Sequence, residues 1–220
     1  MTHYSGVILD VDGTLVDSNN AHAVAWVEAM AENGYKVPFD KVRPLIGMGG
    51  DKVLPETIGI QKDSEEGKHI SQRRKEIFKE RFLPGLRAFQ GAKELLEQMR
   101  KRGLKLAVAS SADKDELKPM LDIVGAADLI EEETSSKDAK QSKPDPDVMQ
   151  VTLERTGFPP NRVLMIGDTA YDIEAAKKVH VGTIAFRSGG WSNDDLAEAI
   201  AIYDGPADLL EHYDDSPLAR

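Results

Sequence analysis

Two aspartates two residues apart, Asp10 and Asp12, follow the apolar run Val7-Ile8-Leu9 and precede Gly13-Thr14. A short apolar run reads as a buried strand, and an aspartate at its carboxyl end sits on the rim where open α/β sheets bind ligands. Two carboxylates held there repel each other, and a cation bound between them relieves the repulsion. Three further strand ends carry or closely precede polar residues of a complementary kind. They are Ser110-Ser111, Lys143 in Lys-Pro-Asp-Pro-Asp, and Asp168 with Asp172. Parallel strands present their carboxyl ends on one edge, so these residues are expected to converge. Packing does not explain them, because buried Asp and Lys are rare unless paired.

The elements that must position these groups follow from periodicity and punctuation. Ser18 or Asn19 could cap a helix over 21–32, ended by Asn33-Gly34. A short helix begins at Phe39-Asp40, 47–51 reads as a loop, and 52–58 as a helix. A charge-rich helix follows over 64–81. It reads as a solvated face with a narrow stripe of Ile70, Ile77 and Phe78 rather than as a nucleic-acid patch. Residues 19–82 therefore contain no convincing strand.

From Pro84-Gly85 onward helices and strands alternate. Helices are expected over 91–101, from Asp113 with Glu116 as a capping box to Val124, over 146–157 and over 171–179. Strands are expected at 104–109, 129–130, 163–166 and 183–186. Strands separated by helices imply parallel βαβ units. The fold expected is α/β: a Rossmann-like parallel sheet core, residues 1–17 and 84–220, with an inserted α-helical cap domain, residues 18–83.

At 220 residues the chain is long enough for one core and a smaller second unit. Its net charge of −10 disfavours nucleic acid as a partner and sits awkwardly with an anionic substrate, unless a metal and placed lysines reverse the sign locally. The absence of cysteine excludes thiolate metal sites and points to a reducing compartment. With no long apolar segment at the N-terminus, a cytoplasmic location away from any membrane is expected.

The order Asp10-x-Asp12-Gly13-Thr14, a strand-ending serine, Lys143-Pro, then Gly167-Asp168-x-x-x-Asp172 resembles the haloacid dehalogenase-like (HAD) hydrolases over the whole chain. That family carries a small helical cap in the position of residues 18–83. The resemblance implies a Mg²⁺-dependent phosphatase acting on a small phosphorylated metabolite, such as a sugar phosphate or phosphoglycolate. Asp10 would be the nucleophile that forms an aspartyl-phosphate, and Asp12 the general acid and base. Mg²⁺ would take oxygens from Asp10, the Asp12 backbone carbonyl and Asp168. Ser110 and Lys143 would hold the phosphoryl oxygens. Ser111 is a further phosphate candidate, although a cap or turn role suits it better. Asp172 would orient a metal-bound water or support Lys143.

Substrate choice would lie in the cap, where His22, Gly49 and Lys52 are the candidates, with Arg43 and the 47–52 loop beside them. For His22 packing or solvent exposure is the plainer expectation, with contact to the leaving group as the alternative. For Lys52 a solvated side chain stands against one that reaches an anionic tail. Arg187 before Gly189-Gly190 reads mainly as a strand end and turn.

His22-Ala-Val-Ala-Trp26 is similar to the helix start of sugar-phosphate members, including β-phosphoglucomutase. However, Gly49-Gly50 stands where the mutases carry Ser-Arg, and Gly-Asp-x-x-x-Asp is the phosphatase form of the last motif. Hydrolysis is therefore expected over a mutase reaction. A reading of another class is a module that accepts phosphate on aspartate without turnover. The inserted cap and the retained Asp12 argue against it.

Overall fold

The computed structural model describes residues 4–219. Its centre is a six-stranded, all-parallel sheet in the order β3-β2-β1-β4-β5-β6. The strands are β1 Gly6–Leu9, β2 Lys105–Ala109, β3 Ile130–Thr134, β4 Val163–Gly167, β5 Gly182–Phe186 and β6 Ala201–Tyr203. The chain steps outward from β1 to β3, then returns to β4 and steps the other way. The reversal falls between β1 and β4, and ligands of open α/β sheets bind at such a switch point.

The central strands are apolar throughout because both faces are covered. Val7, Leu9, Leu106, Val108, Leu164 and Ile166 point into the larger core, while Ile8, Ala107, Met165 and Ala109 point into a second. Helices α5 Ala92–Lys101 and α9 Pro206–Glu211 cover the first face. Helices α7 Asp147–Thr156 and α8 Ala170–Lys178 cover the second. Helix α6 Lys114–Val124 follows β2, and its Leu117, Met120 and Leu121 join the larger core.

Between Leu9 and Lys105 the described residues add no strand to the sheet. They form α1 Asn19–Glu32, α2 Phe39–Val42, α3 Gly50–Ile58 and α4 Glu65–Ile77, then a wider helical turn over Phe78–Phe82. Helices α1 and α4 pack together through Trp26, Met30, Ile70 and Ile77. Among the described residues no helix is long and apolar enough to cross a membrane.

Several local expectations are corrected. Helix α3 begins at Gly50, inside the expected loop, with Gly49 in extended conformation as its N-cap. The third strand is Ile130–Thr134, and Leu129 belongs to the turn before it. Its Ile-Glu-Glu-Glu-Thr sequence hides the strand because this is a charged edge. Glu131 pairs there with Arg100, and Glu132 with Arg155. The short edge strand β6 carries no alternation to detect and was not expected.

Asp113 caps α6 by accepting from the Asp115 N–H, but Glu116 does not complete a capping box; it turns to Arg74 instead. The box is found at α8. There the Thr169 hydroxyl accepts from the Asp172 N–H and the Asp172 carboxylate from the Thr169 N–H. Neither proposed cap of α1 acts as one. Ser18 occupies the N-cap position with no side-chain cap bond. Both Ser18 and Asn19 are drawn away by carboxylates, Asp12 and Asp168.

Candidate active site

Asp10 follows β1 directly, and its N–H donates to the Ile166 carbonyl of β4, so the two strands hold Asp10 beside Asp168. Lys143 reaches the same place from the loop before α7. Its Nζ donates to Asp10 Oδ1 at 2.5 Å and to Asp172 Oδ1 at 2.7 Å, with the side chain 1% exposed. Asp172 has both oxygens engaged, because Oδ2 accepts from the Thr169 N–H and hydroxyl. Its geometry is that of a residue that fixes the lysine.

The Asp168 carboxylate accepts from the Thr14 hydroxyl at 3.0 Å and from the Asn19 amide at 2.8 Å. It is also pressed between two glycines. A Cβ on Gly13 would stand 2.2 Å from Asp168 Oδ2, and one on Gly189 would stand 2.0 Å from it. Gly13 further adopts φ +77°, where side chains are strained.

Asp12 sits on the other side. Its Oδ1 accepts from the Ser18 hydroxyl at 2.5 Å and lies 2.7 Å from His22 Nε2. The His22 ring stacks on Phe78 at 3.9 Å between centroids. His22 is thus buried and packed as the plainer reading had it, and it touches Asp12 as well.

The electrostatics are lopsided. Burial first, then the charges of Asp172, Asp168 and Asp12, push Asp10 well above the ordinary carboxylate range, although Lys143 pulls it down. Asp168 is pushed up to about 7 by burial and by Asp172, against its hydrogen bonds from Asn19 and Thr14. Burial opposes ionisation at Asp12 too, but there His22, Ser18 and Arg74 prevail and hold it below the usual range. Burial also opposes the Lys143 charge; Asp10 and Asp172 outweigh it and raise its pKa.

One buried lysine does not balance these carboxylates. Oxygens of Asp10, Asp168 and Asp172 lie within 4.8 Å of one another. That excess of hard oxygen donors, with glycines clearing the space around Asp168, fits a divalent cation.

A cleft opens onto Asp10 and Asp12, bounded by His22, Trp26, Met48, Arg74 and Ser111. Of the two serines, Ser111 lines the cleft, with its hydroxyl unpartnered among the described residues. The Ser110 hydroxyl is buried behind it and accepts from the Ala112 N–H. Gly49 lines the cleft wall, its N–H bonded to Ser142.

Lys52 does not join them. It is paired with Asp145 at 2.6 Å and Gln141 at 2.8 Å, tying α3 to the loop on both sides of Lys143. Arg43 likewise bridges, donating to the Gly189 carbonyl and to Asn20. Arg187 lies outside the cleft and pairs with Asn193 and Asp204.

The solvated-face reading of α4 holds for Arg73, which pairs with Glu32 and Glu76 at the surface, and fails for Arg74. Arg74 stands between Ile70 and Ile77 on the apolar stripe itself, and that helical spacing was the available signal. Its side chain is 12% exposed, it donates to fully buried Glu116 at 2.7 Å, and its guanidinium lies 5.0 Å from the Trp26 ring centroid. Thr14, Ser18, Asn19 and Thr169 were also missed as partners of the site carboxylates. Each reads in sequence as a turn or cap residue.

A lysine held by two carboxylates, beside an acidic cluster that fits a divalent cation at a sheet switch point, suits a phosphoryl group once that cation reverses the local sign, which puts the chain in the class of α/β phosphoryl-handling enzymes. A family model described as haloacid dehalogenase-like hydrolase matches residues 7–186. The N-acetylmuramic acid 6-phosphate phosphatase of Pseudomonas aeruginosa is 28% identical over 213 residues, covering 94% of each chain. A phosphoglycolate phosphatase of Aquifex aeolicus is 30% identical over 182 residues, covering 80% of this chain and 82% of its own. A solved hydrolase from Pseudomonas syringae superposes with a TM-score of 0.88 at 28% identity, covering 96% of this chain and 98% of that one. The chain belongs to the haloacid dehalogenase-like hydrolases, and within them it is a phosphatase.

Proposed function

We propose that this phosphatase hydrolyses a monoester of a small phosphorylated metabolite in two steps, through a phosphoryl group carried on Asp10. The observation that carries the proposal is the convergence of Asp10, Asp12, Lys143 and Asp168 on one sheet edge, with Asp10 and Asp12 lining an open cleft.

In the first step an Asp10 carboxylate oxygen attacks phosphorus and the bond to the leaving oxygen breaks. Asp12 supplies that oxygen with a proton, and His22, 2.7 Å away, is placed to share it. In the second step water gives a proton to Asp12, attacks phosphorus and breaks the bond to Asp10, which frees phosphate. Lys143 and the Ser110 and Ser111 hydroxyls hold the phosphoryl oxygens, and Asp172 keeps Lys143 aimed at them.

Asp10, Asp168 and the Asp12 backbone carbonyl would hold Mg²⁺. When bound, the ion supplies neutralising charge for the phosphoryl oxygens. Residues 18–83 act as a cap that closes on residues 1–17 and 84–220, excludes bulk water and selects the substrate.

Hydrolysis is favoured over a mutase reaction by the packing at 49–50. A Cβ on Gly49 would meet Asp51 at 2.7 Å, and one on Gly50 would meet Trp26 at 2.9 Å. A side chain at either position, where the mutases carry Ser-Arg, would require Asp51, Ser142 or Trp26 to shift. The bond of His22 to Asp12 likewise favours turnover over a module that only accepts phosphate.

The test is phosphate release over a panel of phosphorylated metabolites, with and without Mg²⁺, in the cytosolic concentration range. Mg²⁺-dependent release from a subset of the panel is expected. A stable phosphorylated Asp10 without release would contradict the proposal.

A further inference from the structure

Three segments of chain enclose one oxygen of Asp168. The Asn19 amide donates to Oδ2 at 2.8 Å, and a Cβ on Gly13 or on Gly189 would stand 2.2 or 2.0 Å from it. These segments are far apart in sequence, and two side chains tie them together. The Ser188 hydroxyl donates to the Gly13 carbonyl at 2.6 Å. Arg43, in the short turn after α2, makes the other tie. Its Nε donates to Asn20 Oδ1 at 2.8 Å and its Nη2 to the Gly189 carbonyl at 2.6 Å.

Both ends of the Arg43 bridge lie one step from Asp168. Asn20 follows Asn19 at the start of α1. Asn19 Oδ1 has no partner among the described residues, so the Asn19 amide is placed by its bond to Asp168 and by the backbone that carries it. Gly189 has no side chain and presses on Asp168 through its backbone alone, and the carbonyl of that backbone is the one Arg43 holds. A guanidinium presents its donors in a rigid planar fork, so the bridge sets the gap between the two segments. Burial lowers the Arg43 pKa while the charges of Asp168 and Asp17 oppose the fall, which puts the cation within electrostatic reach of Asp168.

We infer that Arg43 is a positioning residue for the divalent-cation site, whose fork fixes the gap between α1 and Gly189 and thereby aims the Asp168 carboxylate. The inference rests on the assignment of Asp168 to Mg²⁺ in the proposed function and deepens it. It gives a residue of the helical insertion a part in building the metal site on the sheet edge. By linkage, an ion held by Asp168 favours in return the seated arrangement of Arg43 on Gly189.

Positioning and simple proximity predict opposite signs. A cation close to a metal site repels the metal, so removal of a mere neighbouring charge would tighten Mg²⁺ binding. Removal of a residue that aims a ligand weakens it. The experiment is calorimetric titration of Mg²⁺ into wild type, Arg43→Ala, Arg43→Lys, Asn20→Ala and Arg43→Ala/Asn20→Ala, without substrate. Arg43→Ala is expected to raise the Mg²⁺ Kd by about 10-fold. Arg43→Lys keeps the charge but not the fork and is expected to weaken binding as well. Asn20→Ala, an exposed change, is expected to weaken it less and to add nothing to Arg43→Ala, because the two residues act through one bridge. Phosphate release lost by Arg43→Ala is expected to return as Mg²⁺ is raised.

Mg²⁺ bound by Arg43→Ala as tightly as by wild type, or more tightly, overturns the inference, as does full additivity of the two alanine changes. If Arg43→Ala does not fold, Asn20→Ala decides, and an unchanged Kd in that variant overturns the inference. If wild type binds Mg²⁺ and releases phosphate but the variants bind as it does, the proposed function stands and only the role of Arg43 falls. If wild type binds no Mg²⁺, the metal assignment has failed and the inference falls with it.

Discussion

His22 Nε2 lies 2.7 Å from Asp12 Oδ1, so the first helix of the insertion is tied directly to the second carboxylate of the strand end. On the proposed mechanism, the contact links the helical insertion to the group that would move the substrate's proton. Asp12→Ala should therefore lower kcat by about 10²- to 10⁴-fold for alkyl phosphates, whose leaving oxygens need a proton. The loss should be smaller for p-nitrophenyl phosphate. Steady-state kinetics on both esters checks this, and equal losses would contradict the acid role.

Asn19 and Thr14 hold the two oxygens of Asp168. Groups that orient a metal ligand typically carry about 10- to 100-fold in metal affinity. Asn19→Ala should weaken Mg²⁺ binding by that order, measured by the Mg²⁺ concentration needed to raise the melting temperature. Chelation should abolish phosphate release, and added Mg²⁺ should restore it.

Gly189 leaves no room for a side chain, because its Cβ would stand 2.0 Å from Asp168 Oδ2. Gly189→Ala must displace that carboxylate, and misplacement by about 1 Å can lower a rate by about 10²-fold. Phosphate release should fall by that order while circular dichroism remains that of the wild type. Unchanged activity would show that the position of Asp168 does not matter.

Asp113 is bonded by Lys75 of α4 and by Lys137 at 2.9 Å, and it caps α6. Although burial opposes its ionisation, those bonds hold its pKa far below the ordinary range. A carboxyl whose folded pKa is depressed adds stability that is present in full above its unfolded value of about 3.9 and lost as the pH falls toward the folded one. The stability difference between wild type and Asp113→Asn should be constant from about pH 5 to 8 and shrink below about pH 4. Urea denaturation across that range measures it; a difference that grows in acid would contradict the assignment.

The parts of this molecule legible in sequence are those with a local signature. The strand Val7-Ile8-Leu9 announces itself by unbroken apolar character, and the polar residues at the ends of β1, β2 and β4 follow from the edge that parallel strands share. Lys143 was legible for its setting among Pro and Asp, since burial of a lysine requires partners. The edge strands were not, because β3 is held by charges paired across the surface and β6 is only three residues long.

What stayed hidden at the site were the residues whose roles come from distant partners. Ser18 and Asn19 carry the signature of a helix cap, and a carboxylate claims each of them instead: Asp12, six residues before Ser18, and the buried Asp168 far along the chain. Arg74 was hidden among neighbouring charges that do face water. Only its place between Ile70 and Ile77 set it apart, and only Glu116, on another helix, explains why it is buried.

The central claim is that Asp10 carries the phosphoryl group during turnover. Acid quenching of the enzyme during steady-state hydrolysis with Mg²⁺, followed by peptide mass mapping, tests it most directly. The account predicts one phosphoryl group on the peptide that contains Asp10, and its loss together with phosphate release in Asp10→Asn. A phosphoryl group on another residue, or phosphate release retained by Asp10→Asn, would contradict it.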